Sequence, residues 1–180
     1  MSGIINATNL EVDNIKNTSG TAYNFIKQVK SGAYTDAMSL TVDQRTDIPN
    51  LSLSITPSSV SSKILIMASV CFGVKHTNNY GRGYIMRDST DIAVGTTATG
   101  NRQNISFPLN LVGAGNEHYK LHQSSVTFLD SPNSTSAITY KVQVRHDVDG
   151  TMYINRTGQD SDADYGHRGI STLTIMEVAG

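Results

Sequence analysis

KILIMASVCFGV, residues 63–74, is the longest apolar stretch in this chain of 180 residues. Its even positions, Ile64, Ile66, Ala68, Val70, Phe72 and Val74, are all apolar, and a period of two places them on one face of a strand. The odd positions begin apolar with Leu65 and Met67, then pass to Ser69, Cys71 and Gly73. The second face is therefore apolar over the first half only. A buried helix is the competing reading. The β-branched residues, the serines before the run and the glycine near its end favour a strand. Polar flanks and short length exclude a membrane span.

A hydrophobic fraction of 38% is enough for one packed core. The charged fraction is only 16% and the net charge −1, so the surface is rich in Ser, Thr, Asn and Gly rather than in ions. Neither nucleic acid nor a membrane is expected as a partner, because both call for a clustered basic or a long apolar surface. The single cysteine, Cys71, excludes an intrachain disulfide framework and reads as a small buried hydrophobe. The first residues, MSGIINATN, have no basic segment followed by an apolar one, so synthesis in a cytoplasm without a secretory signal is expected.

Residues 1–20 carry Ile4, Ile5, Leu10, Val12 and Ile15 among Asn, Thr and Asp. These are too few for a core and too many to stay in water, so they are expected to pack on another chain. Residues 21–32 admit either a helical turn or an extended segment. From residue 46 the alternation sharpens. Leu51, Leu53 and Ile55 alternate with Ser52 and Ser54, and this strand is expected to pair with the 63–74 strand across a turn at 56–62.

A polar loop is expected at 75–83, then short strands at 84–87 and 91–95. Phe107, Leu109 and Leu111 form another strand, in which Pro108 indicates an edge. Val126 and Phe128 alternate up to the turn LDSPNSTS. Ile138, Tyr140, Val142 and Val144 then oppose Thr139, Lys141, Gln143 and Arg145, a strand with one wet face. A hairpin at 149–150 is expected to lead to 152–155, followed by a polar loop at 156–168 and a last strand, GISTLTIMEV. Short strands every ~8 to 15 residues without helical periodicity predict an all-β, antiparallel β-sandwich of jelly-roll type. The expected division is an N-terminal leader at 1–45 and a sandwich head at 46–180.

Three stretches, LSLSITPSSVSSKILIMASV, FLDSPNSTSAITYKVQVR and STLTIMEVAG, together with the leader NATNLEVDNIKNTSGTA, resemble segments of the tail-fibre and virion structural proteins of marine bacteriophages. The correspondence falls at Asp13, Ile15, Asn17 and Gly20, then at 55–65, 129–143 and 173–178, and spans most of 46–180. The resemblance implies a β-rich, trimeric head displayed on a phage tail or capsid and made in the host cytoplasm. Many relatives have a long shaft before this module, whereas about 45 residues precede it here. In this reading Ile4, Ile5, Leu10, Val12 and Ile15 anchor the homotrimer or dock it on other virion proteins, and Leu65 and Met67 form a subunit interface.

Catalytic patterns are missing: there is no G-x-S-x-G, H-E-x-x-H, phosphate-binding loop or dinucleotide glycine motif. His118 and His122 have the spacing of a helical metal pair in surroundings rich in glycine. DSDAD places Asp160, Asp162 and Asp164 at calcium-loop spacing, but Gly166 comes one position late and no closing glutamate follows. Asp130, beside Pro132 and Asn133, reads as a turn former. No enzyme activity, cofactor or metal is expected.

Binding is the better prospect, through three polar loops bearing His76, Asn78, Tyr80 and Arg82; Asn116, His118, Tyr119 and His122; and Asp164, Tyr165, His167 and Arg168. Aromatic faces stack on sugars while amides, His and Arg bind hydroxyls, which suits a host-surface glycan or protein receptor. Two alternatives remain at this stage, a purely decorative capsid protein and a polysaccharide depolymerase using Asp160, Asp162 and Asp164.

Overall fold

The computed structural model describes residues 25–41, 43–75, 78–96, 99–112, 116–146 and 150–180. In chain order the strands are β1 (Ile26–Tyr34), β2 (Met38–Leu40), β3 (Thr46–Ile55), β4 (Lys63–Val74), β5 (Asn78–Arg87), β6 (Thr90–Ile92) and β7 (Phe107–Val112). After a 3-10 turn (Glu117–Tyr119) come β8 (His122–Asp130), β9 (Ile138–Arg145), β10 (Met152–Ile154) and β11 (Ser171–Val178). Eight of them make two antiparallel layers. β1, β11, β4 and β8 form the first sheet, with β10 and β2 continuing beside β4; β3, β9, β5 and β7 form the second, with β6 next to β7 along β5. This alternation of layers along the chain is that of a jelly roll, so the all-β sandwich expected from the strand pattern is present.

The core lies between the sheets. Ile64, Ile66, Val70 and Val74 of β4 are fully buried, facing Tyr140, Val142 and Val144 of β9 and Leu109 of β7 in one cluster. β9 and β11 keep strict alternation of buried and half-buried positions. On β4 the odd positions look outward, leaving Leu65 half-buried and Met67 36% exposed. Pro108 lies on β7, which pairs with β5 alone among the described residues, as its missing N–H requires of an edge.

Several expectations need correction. β3 does not pair with β4; it pairs with β9, Leu53 opposite Tyr140. Both strands carry a single strongly apolar face, and a two-layer core is built by opposing such faces rather than aligning them. The expected hairpin at 149–150 is absent for the same reason, since β10 joins β4 and β2 in the first sheet while β9 lies in the second. The loop expected at 75–83 is shorter, because β5 begins at Asn78.

Residues 21–32, left between helix and strand, contribute β1 from Ile26, paired with β11 over its whole length. β1 and β2 are woven into the first sheet, so no break in the sheet marks residue 45. The anchoring residues Ile4, Ile5, Leu10, Val12 and Ile15 lie outside the described residues.

β3 owes its irregular pattern to a bulge. Ile48 and Leu51, three apart, are both buried, and the register with β9 shifts between Asp47 and Ser52. Asn50, with φ 63°, takes the left-handed conformation that the bulge demands. Its carbonyl presses on β1 at Gly32, where a Cβ would collide with it.

At the far end of the sandwich a carboxylate ties the sheet to a turn. Glu177, fully buried at the end of β11, accepts hydrogen bonds from the Ser58 backbone N–H and hydroxyl at 2.6 Å each, the Ser62 hydroxyl at 2.7 Å and Gln28 Nε2 at 2.6 Å. Burial, the largest single influence, pushes its pKa up. The bonds from Ser58, Ser62 and Gln28 together outweigh that and hold it below the ordinary glutamate value of 4.5. A second carboxylate, Asp130, receives Arg87 at 3.0 Å and the Tyr140 hydroxyl at 2.7 Å, so its role is a buried link between β8, β5 and β9.

A group whose folded pKa is depressed adds stability that is present above the unfolded pKa and lost as pH falls through the folded one. The thermal midpoint of the wild type should therefore drop on acidification below pH ~4.5, and Glu177→Gln should flatten that drop. Glu177→Ala, which leaves four donors without their acceptor, the buried Ser62 hydroxyl among them, should cost about 2–5 kcal/mol at neutral pH in chemical denaturation. A wild-type acid limb identical to that of Glu177→Gln would refute the assignment.

Candidate functional site

Asn116, His118, Tyr119, Asp164, Tyr165, His167 and Arg168, of the expected binding residues, belong to connections at one end of the sandwich. Phe72 of β4 stands opposite both His122, the first residue of β8, and Ile154, the last of β10. Asn78, the first residue of β5, faces Val112, the last of β7. The connections β4–β5, β7–β8 and β9–β10 thus share one end, and the excursion at 155–170 between β10 and β11 rises beside them.

The excursion begins at a break in the hydrogen-bond ladder. One edge of β4 is paired by β11 as far as Ser69 and by β10 from Phe72, which leaves the Cys71 backbone to be satisfied otherwise. The Asn155 N–H reaches the Cys71 carbonyl at 3.0 Å, and the Ser171 hydroxyl accepts the Cys71 N–H at 3.1 Å. Asn155 is fully buried with φ 62°. Its Nδ2 donates to the carbonyls of Tyr34 at 2.7 Å and Asp36 at 2.9 Å, and its Oδ1 accepts from the Ser171 hydroxyl at 2.7 Å. The Gly169 N–H closes on the Asn155 carbonyl at 2.9 Å. Departure and return of the excursion are locked by one side chain.

From there the chain lies over the end of β4. A Cβ on Gly73 would strike the Arg156 carbonyl, and one on Gly158 the Val74 carbonyl, so these backbones touch directly. Arg156 and Arg168 meet in a β-bridge. Asp160 sits with both, hydrogen-bonded to Arg168 and 3.5 Å from Arg156. The hydrogen bond from Arg168, followed by the charges of Arg156 and Arg168, holds the Asp160 carboxyl below the usual carboxylate range. Arg156 also stacks on the Tyr153 ring at 3.7 Å.

The excursion reaches the β7–β8 connection. The Gln159 N–H donates to the His118 carbonyl at 2.7 Å, and the Tyr119 and Tyr165 rings meet edge to face at 4.8 Å. His118 lies against Tyr119 with ring centroids 4.0 Å apart. Tyr119 and Tyr165 remain 37% and 40% exposed, which leaves ring surface for a ligand. Asp164, His167 and Arg168 are exposed around them, as is Asn116, whose left-handed backbone begins the 3-10 turn. Beside them Asp160, Ser161, Asp162, Ala163, Gly166 and Arg168 line a shallow polar hollow of about 380 Å³.

The structure thus joins two of the three expected groups. The third stands apart: Tyr80 and Arg82 are carried by β5 in the second sheet, Tyr80 51% exposed and Arg82 opposite Arg145. Asn78 opens β5, and His76 lies outside the described residues. His122 turns inward, 5.8 Å from the Phe72 ring, and belongs to the core side of β8. Among the described residues no three His, Cys, Asp or Glu side chains come together to hold a metal. Asn155, Arg156 and Tyr153, which build the platform, were not singled out in the sequence; an Asn is a common left-handed residue, but nothing marks this one among so many.

No known protein family matches the chain, and no curated protein matches it. Among solved structures it is similar to three of infectious bursal disease virus. These are a VP2 subviral particle (10% identity, 97% of this chain and 42% of that one, TM-score 0.46), the T13 viral particle (10%, 97% and 40%, 0.47) and the Gx strain (9%, 94% and 43%, 0.40). The chain spans less than half the length of these viral proteins.

Asn155→Ala should cost about 2–4 kcal/mol in denaturant unfolding, because the Tyr34 and Asp36 carbonyls and the buried Ser171 hydroxyl lose their mate. Asn155→Asp keeps the shape but turns an acceptor toward the Tyr34 and Asp36 carbonyls, and should cost at least as much. An Asp variant as stable as wild type would show that shape alone, not hydrogen bonding, holds the excursion.

Proposed function

We propose that this chain is a structural protein of a virus particle, displayed on a phage tail or capsid, and that the looped end of its sandwich contacts the host surface. The jelly-roll architecture suits a virion surface protein, and the segments at 55–65, 129–143 and 173–178 support the phage reading by resemblance. In this reading the copies form a homotrimer through Ile4, Ile5, Leu10, Val12 and Ile15, which also attach it to other virion proteins.

The observation that carries the attachment role is the Tyr119–Tyr165 pair. Two half-exposed rings from separate connections are set edge to face on a platform locked by Asn155. Exposed Asn116, Asp164, His167 and Arg168 supply hydrogen-bonding groups at its border. Such a mixture fits a glycan, whose apolar faces stack on rings and whose hydroxyls need polar partners. Three such sites on one trimer raise avidity well above that of a single weak contact.

Hydrolysis is not part of the proposal. A glycosidase acid needs a raised pKa, whereas the two arginines hold Asp160 ionised. The decorative reading, in which the loops touch nothing, makes the opposite prediction in one experiment. Tyr119→Ala with Tyr165→Ala, both at the surface, should lower adsorption of particles or purified protein to host cells by ~10-fold or more. Unchanged adsorption with an unchanged melting curve would leave decoration standing and remove the attachment role.

A further inference from the structure

The outward faces of the two sheets differ in kind. On the second sheet charge predominates: Asp47 binds Lys141 and Gln143, Arg145 pairs with Asp43 at 2.6 Å, and Arg45 grips Asp91 while lying 3.7 Å over the Tyr84 ring. On the first sheet register places Val29, Met176, Leu65 and Leu129 side by side across all four strands. The next row is Ser31, Thr174, Met67 and Thr127, and the one after it Ala33, Thr172, Ser69 and Ser125. Twelve consecutive outward positions carry no charge, in a chain with 14 basic and 15 acidic residues. Val29 is 54% and Leu129 52% exposed, so the described residues do not cover the two ends of the apolar row.

We propose that this face is a two-fold docking surface for a second copy of the chain. Charge decides the occupant. A charged partner would lose water here and meet no counter-ion, whereas an uncharged face with a central apolar row is complementary to itself. The same face of another copy offers a surface of that character. Four strands at ~4.8 Å by three rows at ~6.8 Å give a footprint of roughly 400 Å², below the ~800 Å² per partner of a standard interface. The association is therefore weak and concentration-dependent.

This pairing gives Leu65 and Met67, expected from the sequence at a subunit interface of the trimer, to a two-fold contact instead, and it is separate from the threefold contacts proposed for Ile4, Ile5, Leu10, Val12 and Ile15 and from the host contact at the loops. The test is sedimentation of the full chain from ~1 to ~200 μM. The wild type should double in mass across this range, whatever its basic unit, and Val29→Lys with Leu129→Lys should abolish the doubling at an unchanged melting temperature. Should that double variant unfold, Thr127→Lys, at an exposed position of β8, must weaken the doubling at least tenfold. Ser54→Lys, on the other sheet, must leave it intact. A wild type that never doubles, including one in which residues 1–24 shield the face within a single copy, overturns the proposal. So does a doubling that survives the lysines.

Discussion

The backbone of Cys71 is the point on which the sandwich turns. A twelve-residue central strand cannot leave a buried N–H and C=O unpaired in mid-sheet, yet its neighbour changes from β11 to β10 at that level. Asn155 and Ser171 fill the gap with one amide and one hydroxyl, and in doing so they also take up the carbonyls of Tyr34 and Asp36. The same solution fixes where residues 155–170 leave the sheet and where they come back. The position of the Tyr119–Tyr165 pair follows from it.

Glu177 and Asp130 play the corresponding part at the other end. Each is a buried carboxylate saturated by donors from elements distant in sequence. They give a physical content to the three segments that carry the phage resemblance. The serines of ITPSSVSSKI are bound by the glutamate of TIMEV, and the aspartate of LDSP by the tyrosine of TYKVQ. Polar residues that look like generic turn formers are in fact the cross-links between loops and sheets.

This explains what was readable beforehand. β4 and β9 announce themselves because one face of each is apolar without interruption, and β11 through its regular alternation about Leu173 and Ile175. β1 does not, because it carries Gln28 and Gly32, residues chosen by Glu177 and by the β3 bulge rather than by the core. β3 and β4 are neighbours in sequence but not in a sheet, and the alternation of residues is silent on which layer a strand joins. Of the candidate site, the rings and their polar surroundings were legible as loop composition. Their union was not, since it depends on Asn155, whose left-handed turn and buried amide leave no periodic trace.

The pairing of β1 with β11 has a bearing on how the domain comes into being. The first described strand waits for the last, Ile26 for Val178, so the sheet that holds β4 cannot close until nearly all of this sequence has left the ribosome. Until then β4 has β8 on one edge but lacks β11 on the other, and its apolar face is the one most in need of shelter. Pairings between strands so distant in sequence form slowly, on the order of milliseconds to seconds, and a chain cut short before residue 171 lacks the strand that joins β1 to β4.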